Sequence, residues 1–190
     1  MNAMELPDDL QRCVDFHGHL CPGVVIGYRA ATAGMDELSV RRAGDEELIA
    51  IVENNTCAVD AIQWLTGCTF GKGNLYFHDY GKMVFTFATR ANGRSIRLRL
   101  RPTDTTDAEE VPADQRRRRY IEYLLSQESS KLFEIQTNTL EALPEKASIH
   151  ESLPCDCCGE MVMATRLRQR DGKSLCIPCD EDARQERQSP

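Results

Sequence analysis

The stretch FHGHLCPGVVIGYRA, residues 16–30, places metal-binding side chains directly before a helix. Pro22 is favoured at the first position of a helix, and the apolar residues after it recur with approximately helical spacing. Cys21 then falls at or next to the N-cap, where the helix dipole stabilises a thiolate. His17, His19 and Cys21 alternate, so an extended chain would point all three side chains the same way.

A second cysteine opens a second predicted helix. Cys57 follows the sequence ENNT and begins the segment CAVDAIQWLTG, residues 57–67. The glycine that ends this segment suits a helix C-cap. Asp60 lies three residues after Cys57 and therefore on the same helical face. The sequence thus predicts two helices that each begin with a cysteine.

We expect the two helix starts to meet in a cleft and to bind a transition metal. The predicted ligands are His19, Cys21 and Cys57, because imidazole and thiolate suit soft and borderline metals. His17 or Asp60 is expected to act as a general base. In the alternative interpretation the cysteines are small buried residues, and the histidines lie at the surface or in satisfied core positions.

Nearer the C-terminus, four cysteines form two pairs. Cys155-x2-Cys158 is followed by seventeen residues and then by Cys176-x2-Cys179, a spacing typical of a structural zinc site with four thiolates. The intervening residues predict a hairpin that turns at residues 171–172. A unit this short has almost no core, so we expect it to fold only around its metal. The alternative is a tail with four reduced cysteines, and Cys157 can compete as a ligand.

The remaining segments predict an α+β fold. Residues 47–54 form a strand, and residues 74–101 form three strands with one turn at Asn92–Gly93. Residues 113–127 and 129–136 are expected to be helical. We predict a core domain, residues 1–150, with helices and an antiparallel sheet. A small zinc-ribbon or zinc-finger-like unit follows at residues 151–190.

Composition limits the classes of function. The chain has 190 residues, nine cysteines, a net charge of −7 and a pI of about 5.2. An acidic protein is a poor non-specific ligand for nucleic acid or anionic membranes. We see no signal peptide or transmembrane segment, and we expect a cytoplasmic protein. In a reducing compartment nine cysteines indicate metal binding or thiol chemistry rather than disulfides.

The stretch FHGHLCPGVVIGYRA and the later stretch ENNTCAVDAIQWLTGCTFGKGNLYFHDYGKMVFTF closely resemble the FmdE family of formylmethanofuran dehydrogenase proteins. The resemblance covers roughly residues 12–135, and the C-terminal cysteine pairs look like the zinc finger of some members. It implies an α+β core, commonly a homodimer, with a metal-binding cleft. The motif residues of the family fall here at His17, His19, Cys21, Cys57, Asp60, Cys68 and Lys72.

These correspondences complete the predicted site. His17, Asp60 and Lys72 are expected to be catalytic, and Cys68 is expected to contact a cofactor. The glycine-rich loop that holds Cys68 and Lys72 is not a P-loop, since its glycine spacing differs and no Ser or Thr follows the lysine. It remains able to offer backbone N–H groups and a lysine to a small anion.

Three functions stay open from the sequence. The first is a zinc-binding accessory or redox-linked protein of this family, with a structural zinc in the tail and a second transition metal, expected to be zinc, in the cleft. The candidate partners are the other subunits of a molybdenum or tungsten enzyme. The second function is a stand-alone metalloenzyme for hydrolytic or thiol chemistry. The third is a zinc-finger regulator that binds nucleic acid, although we expect no such binding.

Overall fold

The order of helices and strands is given by a computed structural model, which describes residues 5–103 and 112–188. The chain divides into two compact units, Met1–Ala147 and Ser148–Pro190. The elements of the first unit are α1 (Asp8–His17), α2 (Pro22–Leu38), β1 (Leu48–Val52), α3 (Ala58–Thr66), β2 (Leu75–Phe77), β3 (Val84–Thr89), β4 (Arg94–Leu100), α4 (Ala113–Ser126), α5 (Ser129–Leu132) and β5 (Phe133–Thr139). Those of the second are β6 (Ser152–Pro154), β7 (Met161–Met163), a 3-10 turn (Ala164–Arg166), β8 (Arg168–Arg170), β9 (Lys173–Leu175) and α6 (Ile177–Gln188).

The five strands of the first unit form one sheet in the order β2-β1-β3-β4-β5. β1 and β2 run parallel, and the other neighbours are antiparallel. Phe85 lies opposite Leu98 and Phe87 opposite Ile96, and all four side chains are fully buried. Such cross-strand apolar pairs stabilise one face of the sheet against the helices. The predicted α+β class with a mostly antiparallel sheet is confirmed.

One predicted helix is wrong in its second half. The sequence pattern predicts a helix over residues 129–136, yet the helix α5 ends at Leu132 and the chain continues as β5. From Phe133 onward, apolar or β-branched residues alternate with polar ones, which is the period of a strand. Pairing with β4 at every position from Phe133 to Thr139 supplies the backbone hydrogen bonds that a helix would otherwise provide.

Two glycines let α2 approach α3 closely. A Cβ atom built on Gly27 would lie 2.1 Å from the carbonyl oxygen of Ala58, and one built on Gly23 would lie 2.9 Å from the Cβ of Cys57. Larger residues cannot occupy these positions without moving one helix away from the other. The start of α2 is therefore held against the start of α3, which places both helix-opening cysteines in one region.

The second unit is built around its cysteines. Its buried cluster consists of Cys155, Leu175 and Cys176, with Val162 and Cys179 packed against it. β6 pairs with β7 and β8 with β9. The predicted hairpin turn is confirmed, because Asp171 and Gly172 connect β8 to β9 with left-handed backbone angles. Three of the five clustered side chains are thiols, so apolar packing alone gives this unit little stability.

Across residues 5–103 and 112–188, no helix combines the length and the apolar character that crossing a membrane requires.

Candidate metal centres

Three side chains of the first unit bring their ligand atoms together. The ring nitrogen of His17 and the sulfurs of Cys21 and Cys57 all lie within 4.8 Å of one another. The Nε2 atom of His17 is 3.9 Å from the sulfur of Cys21. Cys21 is buried, whereas His17 and Cys57 are half-buried. One nitrogen and two sulfurs at this separation can bind a single transition metal ion.

Cys21 reaches the group from the N-cap of α2. Its backbone is extended, Pro22 follows at the first helical position, and the sulfur accepts a hydrogen bond of 3.5 Å from the Val24 N–H. The N–H groups of the first helical turn otherwise lack partners inside the helix. A negatively charged sulfur is stabilised at this position by that bond and by the helix dipole.

Cys57 is presented by a turn that Asn54 holds in place. The buried Asn54 side chain donates to the Lys82 carbonyl oxygen at 2.8 Å and accepts from the Thr56 hydroxyl, also at 2.8 Å. Thr56 Oγ1 in turn accepts from the Ala58 N–H at the start of α3. Desolvation and, next, the hydrogen bond with Cys21 raise the pKa of Cys57 above its ordinary value. The two thiols therefore contact each other, and a metal cation there would favour their ionised forms.

Asp60 orients the histidine. His17 is the last residue of α1, and Gly18 ends that helix with left-handed backbone angles. The His17 Nδ1 atom lies 2.7 Å from the Oδ2 atom of Asp60, in the first turn of α3. A carboxylate on one ring nitrogen fixes the ring orientation and makes the other nitrogen a better metal ligand. Here that other nitrogen, Nε2, is the one that faces Cys21.

The structure exchanges the predicted roles of the two histidines. His19, predicted as a ligand, is exposed and outside the convergent group, and its ring centroid lies 4.6 Å from that of His17. His17, predicted as a base, supplies the nitrogen of the group. The prediction assumes an extended chain from His17 to Cys21. In fact α1 continues through His17, and the turn at Gly18 reverses the chain.

Cys68 and Lys72 are engaged elsewhere. The Cys68 sulfur is fully buried and donates to the Leu48 carbonyl oxygen at 3.3 Å, and burial raises its pKa to about 11. Lys72 Nζ donates to the carbonyl oxygens of Gly67 and Ala43 at 2.7 and 3.2 Å. Neither belongs to the convergent group, because both hold the loop after α3 to its surroundings. The roles predicted for them, cofactor contact and catalysis, have no counterpart in this geometry.

In the second unit the ligand atoms of Cys155, Cys158, Cys176 and Cys179 lie within 4.8 Å of one another. The Cys155 sulfur accepts from the N–H groups of Cys176, at 3.2 Å, and Cys157, at 3.5 Å. Backbone N–H groups, those of Cys158, Cys176 and Cys157, lower the pKa of Cys155 to about 6. This arrangement suits a thiolate bound to zinc, and four sulfurs complete a tetrahedral structural site.

Two further features surround the four thiols. Hydrogen bonding with Cys176, then desolvation, then hydrogen bonding with Cys158, Cys157 and Cys155 raises the pKa of Cys179. The exposed Cys157 thiol therefore reaches Cys179 although it lies outside the group of four. A second contact has no local signal in the sequence: the buried carboxylate of Asp180 pairs with Arg170 and Arg184. The pair with Arg170 ties α6 to the β8–β9 hairpin.

The two centres differ in the number of protein ligands. The second unit offers four sulfurs, whereas the first offers three donors among the residues that the structure describes. Four protein ligands close the coordination sphere of zinc, and three leave a position for water or another small ligand. The donor set of the first unit therefore fits a metal that can still bind an exogenous molecule.

Comparisons with known protein families match both units. Residues 16–144 match the family model FmdE, described as molybdenum formylmethanofuran dehydrogenase operon. Residues 150–185 match the prokaryotic dksA/traR C4-type zinc finger.

Two individual proteins are similar to the chain. A curated protein of Archaeoglobus fulgidus, named a probable S-adenosyl-L-methionine-binding protein, is 32% identical over 194 residues, which cover 90% of this chain and 52% of that protein. The chain thus spans about half the length of the curated relative it matches. The crystal structure of an FmdE-like protein of the tungsten formylmethanofuran dehydrogenase from Syntrophus aciditrophicus gives a TM-score of 0.69 at 24% identity, over 96% of this chain and 98% of that one, which indicates a common fold.

Proposed function

The chain belongs to the FmdE family and carries a C4-type zinc finger, and on this premise we propose that it is a zinc-binding accessory or redox-linked protein of the FmdE type. In this proposal one zinc stabilises the C-terminal unit. A second transition metal, with zinc as the first candidate, is bound by His17, Cys21 and Cys57.

The observation that supports the second metal most strongly is the arrangement of four side chains from three helix ends. Cys21 and Cys57 begin two different helices, and His17 ends a third. Asp60 occupies the far nitrogen of His17, so the near nitrogen is directed at the Cys21 sulfur. A histidine and two cysteines that merely filled space would not require a carboxylate that selects one ring orientation.

Each residue has a defined task in the proposed site. When bound, the metal would supply Lewis acidity and bind an exogenous ligand at its open position. The N–H group of Val24 stabilises charge on Cys21, and Asp60 holds the His17 ring and its proton at Nδ1. The buried position of Cys21 limits the access of water to its sulfur.

The metal content of the purified full-length chain tests the proposal. We expect two metal ions per chain, and we expect one after Cys21→Ser, with the zinc of the C-terminal unit retained. Cys68→Ser is the matched control, because its hydroxyl can still donate to Leu48 and it is outside the convergent group. The proposal fails if Cys21→Ser and Cys68→Ser contain the same amount of metal as the parent chain.

A stand-alone metalloenzyme is a second candidate, favoured by the count of three donors in the first unit, within the part of the chain that the structure describes. Cobalt(II) in place of the native metal makes this testable by absorption spectroscopy. An added small thiol or azide should change the visible bands of an open His/Cys2 site, while a closed four-thiolate site stays unchanged. If neither set of bands responds, the cleft metal is closed and this candidate is wrong.

Other assignments have less support. Nucleic-acid binding through the finger is disfavoured, since Arg170 is neutralised by Asp180 and the chain as a whole is acidic. The homodimer, the molybdenum or tungsten partner subunits and the cytoplasmic location stay predictions. S-adenosyl-L-methionine binding belongs to the name of a relative that is about twice as long, and we do not extend it to this chain.

A further inference from the structure

The C-terminal unit contains five cysteines, one more than a tetrahedral zinc site uses. The additional one, Cys157, stands between two residues of the first cysteine pair, Cys155 and Cys158. Its side chain is exposed, and its backbone N–H donates to the Cys155 sulfur. Cys157 is therefore part of the loop that surrounds the metal position, although its sulfur is outside the group of four.

The four ligands are held unequally. Cys155 and Cys176 are buried at 2% and 6% exposure, and the Cys155 sulfur accepts two backbone hydrogen bonds. Cys158 is exposed and Cys179 is half-buried, so these two sulfurs lie toward solvent. Of these two, Cys179 is the one whose thiol interacts with that of Cys157. A replacement by Cys157 would thus occur at Cys179, the less enclosed of the ligands it reaches.

From this geometry we propose that Cys157 is a reserve ligand of the C-terminal zinc and can take the place of Cys179. The inference rests on the zinc of this unit and is independent of the metal proposed for the cleft. The exchange is a substitution at zinc. The Cys157 sulfur forms a Zn–S bond as its proton leaves, the Zn–Cys179 bond breaks, and the released Cys179 sulfur takes up a proton. Four Zn–S bonds exist before and after, and no electron is transferred.

Such an exchange would let the unit keep its metal when Cys179 is unavailable. The buried ligands Cys155 and Cys176 have no comparable substitute, because their sulfurs are enclosed and the reserve thiol is exposed. The prediction is therefore asymmetric. Loss of Cys179 should be tolerated, and loss of Cys155 should not.

Four variants of the full-length chain test this asymmetry: Cys155→Ser, Cys157→Ser, Cys179→Ser and the double variant Cys157→Ser with Cys179→Ser. Zinc per chain is measured relative to the parent, so that any metal in the cleft cancels. Cys155→Ser defines the loss of the C-terminal zinc. We expect Cys157→Ser and Cys179→Ser each to retain that zinc and the double variant to lose it.

Cobalt(II) spectra identify the ligands. Charge-transfer intensity from thiolate to cobalt should be the same in Cys179→Ser as in the parent, which indicates that four thiolates still bind. The proposal is overturned if Cys179→Ser loses zinc as completely as Cys155→Ser. It is equally overturned if the double variant binds zinc as well as Cys179→Ser does, because a ligand other than Cys157 then completes the site.

Discussion

The Nδ1 atom of His17 lies 2.7 Å from the Oδ2 atom of Asp60, a contact that joins the end of α1 to the first turn of α3 across 43 positions of sequence. It determines which nitrogen of His17 faces the two sulfurs. The side chain of His17 is 12% exposed and that of Asp60 38% exposed, so solvent screens the pair only in part.

Asp60→Asn should weaken metal binding in the cleft without abolishing it. The amide loses the negative charge that fixes the His17 ring, and removal of such outer groups typically lowers metal affinity about 10–100-fold. Competition with a chromophoric chelator measures the affinity, and saturating metal should restore full stoichiometry. Asp15→Asn is the control, since Asp15 is an exposed acid of α1 that bonds only to Gln11 among the contacts described. Equal effects of the two variants would contradict the role of Asp60.

The glycines of α2 should separate stability from metal binding. Gly27→Ala would set a Cβ 2.1 Å from a backbone oxygen, which cannot move alone. We expect the free energy of unfolding to fall by at least the ~1–3 kcal/mol typical of overpacked cores. Gly23→Ala meets the Cβ of Cys57 at 2.9 Å, so it should move that sulfur and lower cleft affinity more than stability.

Urea unfolding and chelator competition measure these two effects. Gly71→Ala is the matched control, because a Cβ there meets nothing within 4 Å and its backbone is not left-handed. A small gain of about 0.4–1 kcal/mol from reduced chain entropy is the expected limit for that variant. If Gly27→Ala is as stable as Gly71→Ala, α2 and α3 are not as close as described.

Chelation should unfold the C-terminal unit before the first unit. Its buried cluster contains three zinc ligands and a single buried aliphatic residue, Leu175, so the metal supplies most of its stability. Limited trypsin digestion after EDTA treatment, followed by mass spectrometry, should show early cleavage within residues 148–188. Zinc added back should restore protection. Early cleavage inside the five-stranded sheet would show instead that the first unit depends on metal.

Two thiols outside both centres should resist alkylation. Burial, assisted by the negative charge of Asp9, raises the pKa of Cys13 to about 12, and burial raises that of Cys68 to about 11. Both therefore stay protonated in the folded chain at about pH 8. Iodoacetamide should label neither of them until urea is added, as peptide mass mapping can show. Labelling in the folded chain would mean that these sites open locally.

The same shifts have a consequence for stability. A thiol of the unfolded chain releases its proton near pH 9, whereas the folded chain retains it. The contribution of these protonated thiols is complete below about pH 9 and is lost as the pH rises toward about 11 to 12. Cys13→Ala should make the alkaline decline of the unfolding free energy shallower. An identical decline in the parent and the variant would show that Cys13 does not contribute.

Local signals were sufficient for much of the fold. Pro22 and Gly67 marked one end each of α2 and α3, and the Asp171–Gly172 turn predicted its hairpin. β5 was missed because its pairing with β4 decides its conformation, and no local rule includes that partner. The boundary of α1 decided the histidines, since the continuation of the helix through His17 moved that residue into the site.

The contact between Asp60 and His17 had no local signal, because only the tertiary fold brings the two residues together. The glycines at positions 23 and 27 did carry one. Two glycines four residues apart lie on the same helical face, and their spacing indicates a close helix partner. This spacing was sufficient to predict which surface of α2 contacts another helix, although not that the other helix begins at Cys57.

The C-terminal unit depends on its thiols rather than on an apolar core, and this affects how its surface can evolve. Substitutions at most of its other positions leave the determinants of its folding intact. Selection can therefore change the outer face of the unit, including Met161 and Met163, which are 65% and 54% exposed, without a matching change inside. A lineage can in this way acquire new recognition properties while the scaffold that displays them is inherited unaltered.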